Sequence, residues 1–203
     1  MEETAALYLA HLNPLTNAHK EIISNLRDRG YHVYVFPVRF LKNETEVNTK
    51  SFPFSYEIRR QMVASLFESD VTVLSDYTFY APYSTYLPPL VSSKSWRLRR
   101  EIVAKVKEKR FVSYTGDAAE RLMLRIYRLN PLKASRLELS ASSVKDSLYR
   151  QVLEGLKDEW MNDVPAPVAN IIKRNWNVVE KFARDQDETK RVMGMKFPRD
   201  GYK

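Results

Sequence analysis

The side chains of this sequence best suited to chemistry are bases, and they recur at the starts of helices. His19 follows the breaker Asn13-Pro14 and two N-capping candidates, Thr16 and Asn17; Arg59 follows Ser55; Lys145 follows Ser142 and Ser143. With 100° per residue on a helix, Ile22, Leu26 and Ile23 fall at about 0°, 40° and 100°, and His19 falls among them at about 60°. Arg59 holds the same central place among Ile58, Met62, Leu66, Val63 and Phe67, as does Lys145 among Val144, Leu148, Val152, Tyr149 and Leu153, while Arg60 points to one side. A base in a first turn that faces inward cannot lie deep in a core, because the turn is the end of the element. It faces the crevice over the sheet edge, where α/β proteins bind ligands. Taken singly, each is read equally well as a long side chain snorkelling off an apolar face. Together, beside helix N-termini whose amides and dipoles already favour anions, they suit a polyanion.

The elements that must position these bases alternate. Ala5 to Leu9 reads as a short strand, residues 17 to 29 as a helix stopped by Gly30, and Tyr31 to Phe40 as a second strand rich in valine. Leu41 to Phe54 reads as a polar loop, followed by the Arg59 helix, a buried strand at Val71 to Leu74, and a tyrosine- and proline-rich stretch, Thr78 to Pro89, with no regular pattern. A helix over Trp96 to Lys109, a strand over Phe111 to Tyr114, a helix over Ala118 to Arg128 and a short strand at Leu137 to Leu139 precede the Lys145 helix. Pro165 to Phe182 reads as one further helix, and Arg184 to Lys203 as a charged tail without internal pattern. This alternation predicts an α/β fold: a doubly wound, Rossmann-like parallel sheet with helices on both faces and a C-terminal helical extension. The expected organisation is one domain over residues 1–183 and a tail over 184–203.

Composition narrows the partners. The chain has 203 residues, a net charge of +8 and no cysteine. Excess positive charge favours an anionic partner, and the lack of cysteine excludes disulfides and thiolate metal sites. No apolar run is long enough to span a membrane and no signal-like start is present, so a cytoplasmic protein without membrane contact is expected. No G-x-G-x-x-G or G-x-x-x-x-G-K-[ST] loop occurs. The twelve tyrosines are spread along the chain and match no RNP-type sequence, which argues against RNA as the partner. His11 and His19 lack a third residue spaced to complete a metal site, so no protein-held metal is expected. The sequence leaves room for a homo-oligomer.

Several stretches carry a resemblance. Residues 13–19, Asn-Pro-Leu-Thr-Asn-Ala-His, resemble the H/T-x-G-H signature of the nucleotidylyltransferase superfamily, and residues 139–145, Leu-Ser-Ala-Ser-Ser-Val-Lys, resemble its I-S-S-T-x-x-R signature. Residues 53–59 resemble the P-F-S/T-x-x-E-R segment, and Tyr114-Thr115-Gly116-Asp117 resembles the segment before the nucleotide-binding helix. Trp160, Val164-Pro165 and Val168 resemble the closing region of archaeal-type nicotinamide-mononucleotide adenylyltransferases. Ala10 and Ala18 stand where the family usually has glycine, and His11 and Thr16 where the nicotinamide enzymes have arginine and a first histidine. Thr16 and Lys145 instead resemble the phosphopantetheine adenylyltransferase branch.

The resemblance implies nucleotidyl transfer from a nucleoside triphosphate, ATP first, to a phosphorylated metabolite such as nicotinamide mononucleotide, with Mg²⁺ carried on the triphosphate. It implies His19, Thr16, Lys145 and Arg59 as catalytic, His11, Gly116, Asp117, Ser142 and Ser143 as nucleotide-binding, and Trp96 as stacking on the acceptor. Phosphopantetheine as acceptor, CTP as donor, and a sensor on the same fold that binds without turnover remain open alternatives.

Overall fold

The computed structural model describes residues 4–115, 118–132, 141–155, 159–193 and 195–203. At its centre is a four-stranded parallel sheet in the order β5-β2-β1-β7, formed by β1 (Thr4–Ala10), β2 (His32–Pro37), β5 (Val71–Val73) and β7 (Arg110–Ser113). The central strands β1 and β2 are apolar runs buried on both faces, as parallel strands require, while the edge strands β5 and β7 are only partly buried. Along β1, Ala6 and Tyr8 enter one apolar layer while Ala5, Leu7 and Leu9 enter the other, the two-residue period of a strand.

Helices cover both faces. On the first lie α1 (Asn17–Asp28), α2 (Tyr56–Phe67), α5 (Ala141–Glu154), α6 (Ala166–Arg174) and α7 (Trp176–Arg184), contributing Ile23, Met62, Val144, Val168 and Val179. On the second, α3 (Ser93–Ala104) and α4 (Ala118–Ile126) contribute Leu98, Ile102 and Leu124. The expected α/β architecture is therefore present. Among the described residues no helix is long and apolar enough to cross a membrane.

Strand order reverses about β1, with β2 on one side and β7 on the other. That reversal opens a crevice at the carboxyl ends of these strands. The turn that leaves β1 carries His11 to Thr16 and enters α1. Thr16 caps the helix, and Gly30 stops the chain beyond it as predicted: Gly30 adopts φ +81°, and its amide donates to the Arg27 carbonyl at 2.8 Å. A side chain would be strained in that left-handed turn.

Several expectations need correction. The second strand ends at Pro37, which has no amide proton to extend the ladder, and the chain resumes as β3 (Arg39–Lys42) in a separate small sheet. There β3 pairs with β4 (Thr45–Glu46) and β6 (Thr78–Tyr80), so the predicted loop over 41–54 contains a hairpin, and its apolar Leu41, Phe52 and Phe54 are buried. The tyrosine-rich stretch supplies β6 and a 3₁₀ turn at Tyr83–Tyr86, whose two tyrosines are buried. The single helix expected over 165–182 is two, broken at Asn175, whose side-chain amide donates to the Ile171 carbonyl at 2.8 Å in competition with the helix ladder. The segment read as a patternless tail forms an antiparallel hairpin, β8 (Thr189–Val192) with β9 (Met195–Pro198), and Phe197 is 1% exposed. The strand expected at Leu137 to Leu139 lies outside the described residues.

Candidate active site

The turn after β1 bends at Leu12, which is buried and adopts φ +50°, an uncommon conformation for a side chain of this size. Asn13 locks the turn. Its side chain donates to the Phe54 carbonyl at 2.9 Å and accepts from the Phe54 amide at 3.1 Å, pinning the 49–54 loop beside it.

His19 is the third residue of α1, and its ring closes a capping box. The Thr16 amide donates to Nδ1 at 3.0 Å, while the Thr16 hydroxyl accepts from the His19 amide at 3.4 Å. Burial, then the charge of Lys145, lowers the His19 pKa from 6.5 to about 4, so the ring is neutral at pH 7. Because Nδ1 accepts, the proton of the neutral ring belongs on Nε2, which makes that atom a hydrogen-bond donor. Thr16 is 0% exposed, and its side chain serves the cap rather than an open phosphate site. The first α1 amide is also taken, since Asn17 N–H donates to the Asp163 carbonyl at 2.9 Å.

Lys145 ties the start of α5 to the turn after β1. It is 8% exposed, and its ammonium donates to the Asn13 carbonyl at 2.9 Å and the Ala141 carbonyl at 3.0 Å. An ammonium has three protons, so one donor remains after these bonds. Burial first, and Lys196 second, lower its pKa from 10.5 to about 8. Ser142 and Ser143, in the first turn of the same helix, are exposed.

Arg59 faces inward as its helical position predicts, but its partners are protein groups. It is 3% exposed and donates to the carbonyls of His11 at 2.9 Å, Val38 at 2.7 Å and Ser55 at 3.3 Å, and to Glu46 Oε1 at 3.0 Å. Glu46 also accepts from the Tyr56 amide at 2.8 Å, at the start of α2. Most of the guanidinium is thus committed to protein groups, the His11 carbonyl among them. His11 itself stacks on Phe52 at 4.6 Å while keeping an exposed edge. Crowding by protein, with the charges of Arg59, Lys145 and Lys196, lowers its pKa well below the ordinary histidine value.

The structure therefore brings His11, His19, Arg59 and Lys145 about one turn. Trp96 stands elsewhere: its indole N–H donates to the Leu90 carbonyl at 2.9 Å and its ring meets Tyr127 edge-on at 4.9 Å. Gly116 and Asp117 lie outside the described residues. Sequence reasoning missed Asn13 as the loop clamp, Glu46 as the Arg59 counter-ion, and Lys196. For Lys196 a signal existed, the alternation Met195-Lys196-Phe197. An open cleft of about 670 Å³ is lined by Glu46, Ser55, Ile58, Val178 and Lys181 but includes neither His19 nor Lys145. The clustered bases, rather than cleft size, mark the site. Among the described residues no group of three or more His, Asp or Glu side chains could hold a metal ion.

No family model matches the chain, and no curated protein matches it in sequence. Solved structures do match in fold. The bifunctional NMN adenylyltransferase/ADP ribose pyrophosphatase of Francisella tularensis, complexed with AMP and an Mn ion, aligns with a TM-score of 0.63 at 13% identity over 90% of this chain and 52% of that one. The present chain thus spans about half the length of that enzyme. A Vibrio parahaemolyticus protein assigned as a nicotinate-nucleotide adenylyltransferase aligns with a TM-score of 0.53 at 14% identity, over 88% of this chain and 96% of that one. Adenylyltransferases of nicotinamide or nicotinate nucleotides thus share this fold.

Proposed function

We propose that the chain transfers a nucleotidyl group from a nucleoside triphosphate, ATP in the first instance, to a phosphate-bearing acceptor, nicotinamide mononucleotide in the first instance, releasing pyrophosphate. The observation that carries this reading is the meeting of His19 and Lys145 at the turn after β1, where Lys145 donates to the Asn13 carbonyl and its charge acts on the His19 ring. Both come from stretches that resemble the two signatures of the superfamily, and the fold is one that adenylyltransferases use.

In the reaction, an oxygen of the acceptor phosphate attacks the α-phosphorus. The bond from that phosphorus to the α,β-bridging oxygen breaks, and pyrophosphate leaves with its electron pair. The acceptor is already an anion, so no protein base has to activate it. Positioning and charge stabilisation supply the catalysis. Neutral His19 donates from Nε2 to an α-phosphate oxygen. Lys145 uses its remaining proton on the departing phosphates, beside the first turn of α5 at Ser142 and Ser143. Arg59 is a positioning residue that fixes the His11 turn. The donor set is cationic and fits phosphate oxygens rather than a divalent ion, so Mg²⁺ belongs to the substrate, arriving on the triphosphate.

Screening ATP and CTP against nicotinamide mononucleotide, phosphopantetheine and choline phosphate, with pyrophosphate release as readout, tests the reading. Turnover with ATP and nicotinamide mononucleotide is expected. Turnover with another acceptor would correct the substrate, whereas triphosphate binding without turnover on any acceptor would replace the enzyme with a sensor.

A further inference from the structure

We propose that the C-terminal hairpin is a working part of this site, and that Lys196 on β9 takes phosphate oxygens at the pyrophosphate end of the triphosphate, beside Lys145. The proposal rests on the nucleotidyl-transfer reading above and adds to it a residue outside both signature stretches.

The hairpin is fixed on two sides. Phe197 is buried among Phe40 and Phe79, each with its ring centroid 5.8 Å away, and Tyr83 at 6.4 Å. Neighbouring residues of a strand point to opposite faces, so this anchor turns Lys196 the other way. There it meets the 49–54 loop, which is laced to the hairpin and its approach. Thr49 and Thr189 share a hydroxyl hydrogen bond of 2.8 Å, the Ser51 hydroxyl donates to Asp187 at 2.8 Å, and Lys50 donates to the Ala183 carbonyl at 2.8 Å. The other side of the same loop belongs to the crevice. Phe52 stacks on His11, Phe54 is clamped by Asn13, and the Lys50 carbonyl accepts from the Tyr149 hydroxyl on α5 at 2.7 Å. The loop therefore carries the hairpin up to the bases around the β1 turn.

Lys196 is partly buried, and its ammonium donates to the Ser51 hydroxyl at 3.2 Å. Among the described residues no carboxylate lies within ion-pair distance of it; Asp187, close by, is engaged by the hydroxyls of Ser51 and Thr189. A surface lysine would spread into water. This one is held where its charge acts on two other basic groups, helping to lower the pKa values of Lys145 and His11. Asp146 and Asp187 act on Lys145 in the opposite sense but rank behind Lys196. Like charges gathered in this way repel, and a bound polyanion relieves that repulsion. The pyrophosphate portion of a triphosphate has the charge and the row of oxygens that Lys145 and Lys196 together would receive.

Calorimetric titration of the whole chain and of Lys196→Met and Lys196→Arg with ATP, inorganic pyrophosphate and AMP tests this. Methionine keeps the aliphatic stem and its packing while removing the charge. Lys196→Met is expected to weaken ATP and pyrophosphate binding by about tenfold or more, the scale of one charge-assisted hydrogen bond. AMP binding and the unliganded melting temperature should stay near those of the parent, and Lys196→Arg should retain most of the affinity. Unchanged ATP and pyrophosphate binding in Lys196→Met would overturn the proposal while leaving the transferase reading intact, and so would an equal loss for AMP. A parent chain that binds neither ATP nor pyrophosphate would overturn both.

Discussion

Lys145 is the side chain whose titration should report the ligand. Its pKa in the fold is about 8 against an ordinary 10.5, so between those values the unfolded chain holds a proton that the folded one has lost. Stability from this group therefore rises with pH across that window, and below pH 8 the full cost of burying the charge is present. A bound triphosphate reverses the preference by favouring the charged form. Titration with ATP just above pH 8 should take up a proton, visible as heats that differ between buffers of unlike ionisation enthalpy, and Lys145→Met should abolish the difference. Buffer-independent heats in the parent would count against Lys145 as a phosphate ligand. His19→Ala separates chemistry from folding. It forfeits one capping-box bond, roughly 1 kcal/mol and a few degrees of melting temperature, but should slow turnover by roughly 10²-fold or more. A large thermal loss with near-normal turnover would make His19 a structural residue. Both side chains were legible in the sequence, because a base among apolar residues in a first helical turn has one place to point. The role of Thr16 was half legible: its capping chemistry follows from residue type, but its burial depends on what packs over the turn.

At the scale of elements, α2 shows what periodicity can and cannot reveal. The helical face separates Arg59 from Arg60, and the two occupy unlike surroundings: Arg59 is buried on Glu46 and three carbonyls, while Arg60 pairs with Glu57 on the surface. Arg59→Ala should cost about 3–5 kcal/mol, since it strands a largely buried carboxylate and two carbonyls at the sheet edge. Arg60→Ala should change stability by less than about 0.5 kcal/mol. Chemical denaturation of both variants checks this, and equal midpoints would remove the clamp assigned to Arg59. The inward direction was legible; Glu46 as the partner was not, because it sits on a two-residue strand whose pairing is set by tertiary contacts. The same limit explains the divided second strand and the helix broken at Asn175. Periodicity identifies an apolar run, but a proline inside it or a side chain that competes for helix carbonyls decides where it stops.

Across the whole molecule, the least legible segment is the one most dependent on distant partners. Residues 184–203 are charged, and their apolar residues are few and short-spaced, so a dispensable tail is the natural reading of the sequence alone. In the fold, Phe197 fills a place among aromatic rings from β3, β6 and the Tyr83 turn, and Asp187 and Thr189 bond the loop that borders the crevice. Removing a fully buried phenylalanine side chain costs about 3–5 kcal/mol. For a chain of this length that is roughly 6–20 °C of melting temperature. Phe197→Ala should therefore unfold well below the parent, and truncation after Ala183 should lose at least as much, because it also exposes Phe40 and Phe79 and frees Lys50 from the Asp185 carbonyl. Thermal unfolding of the two variants beside the parent is the measurement. If the truncated chain melts with the parent, the hairpin is peripheral, and the 49–54 loop must owe its position to Asn13, Tyr149 and His11 alone. If it melts early while Lys196→Met does not, the hairpin's structural duty belongs to Phe197, which holds the aromatic layer together, and the charge on the opposite face is free for the phosphate binding that the calorimetric titration reads.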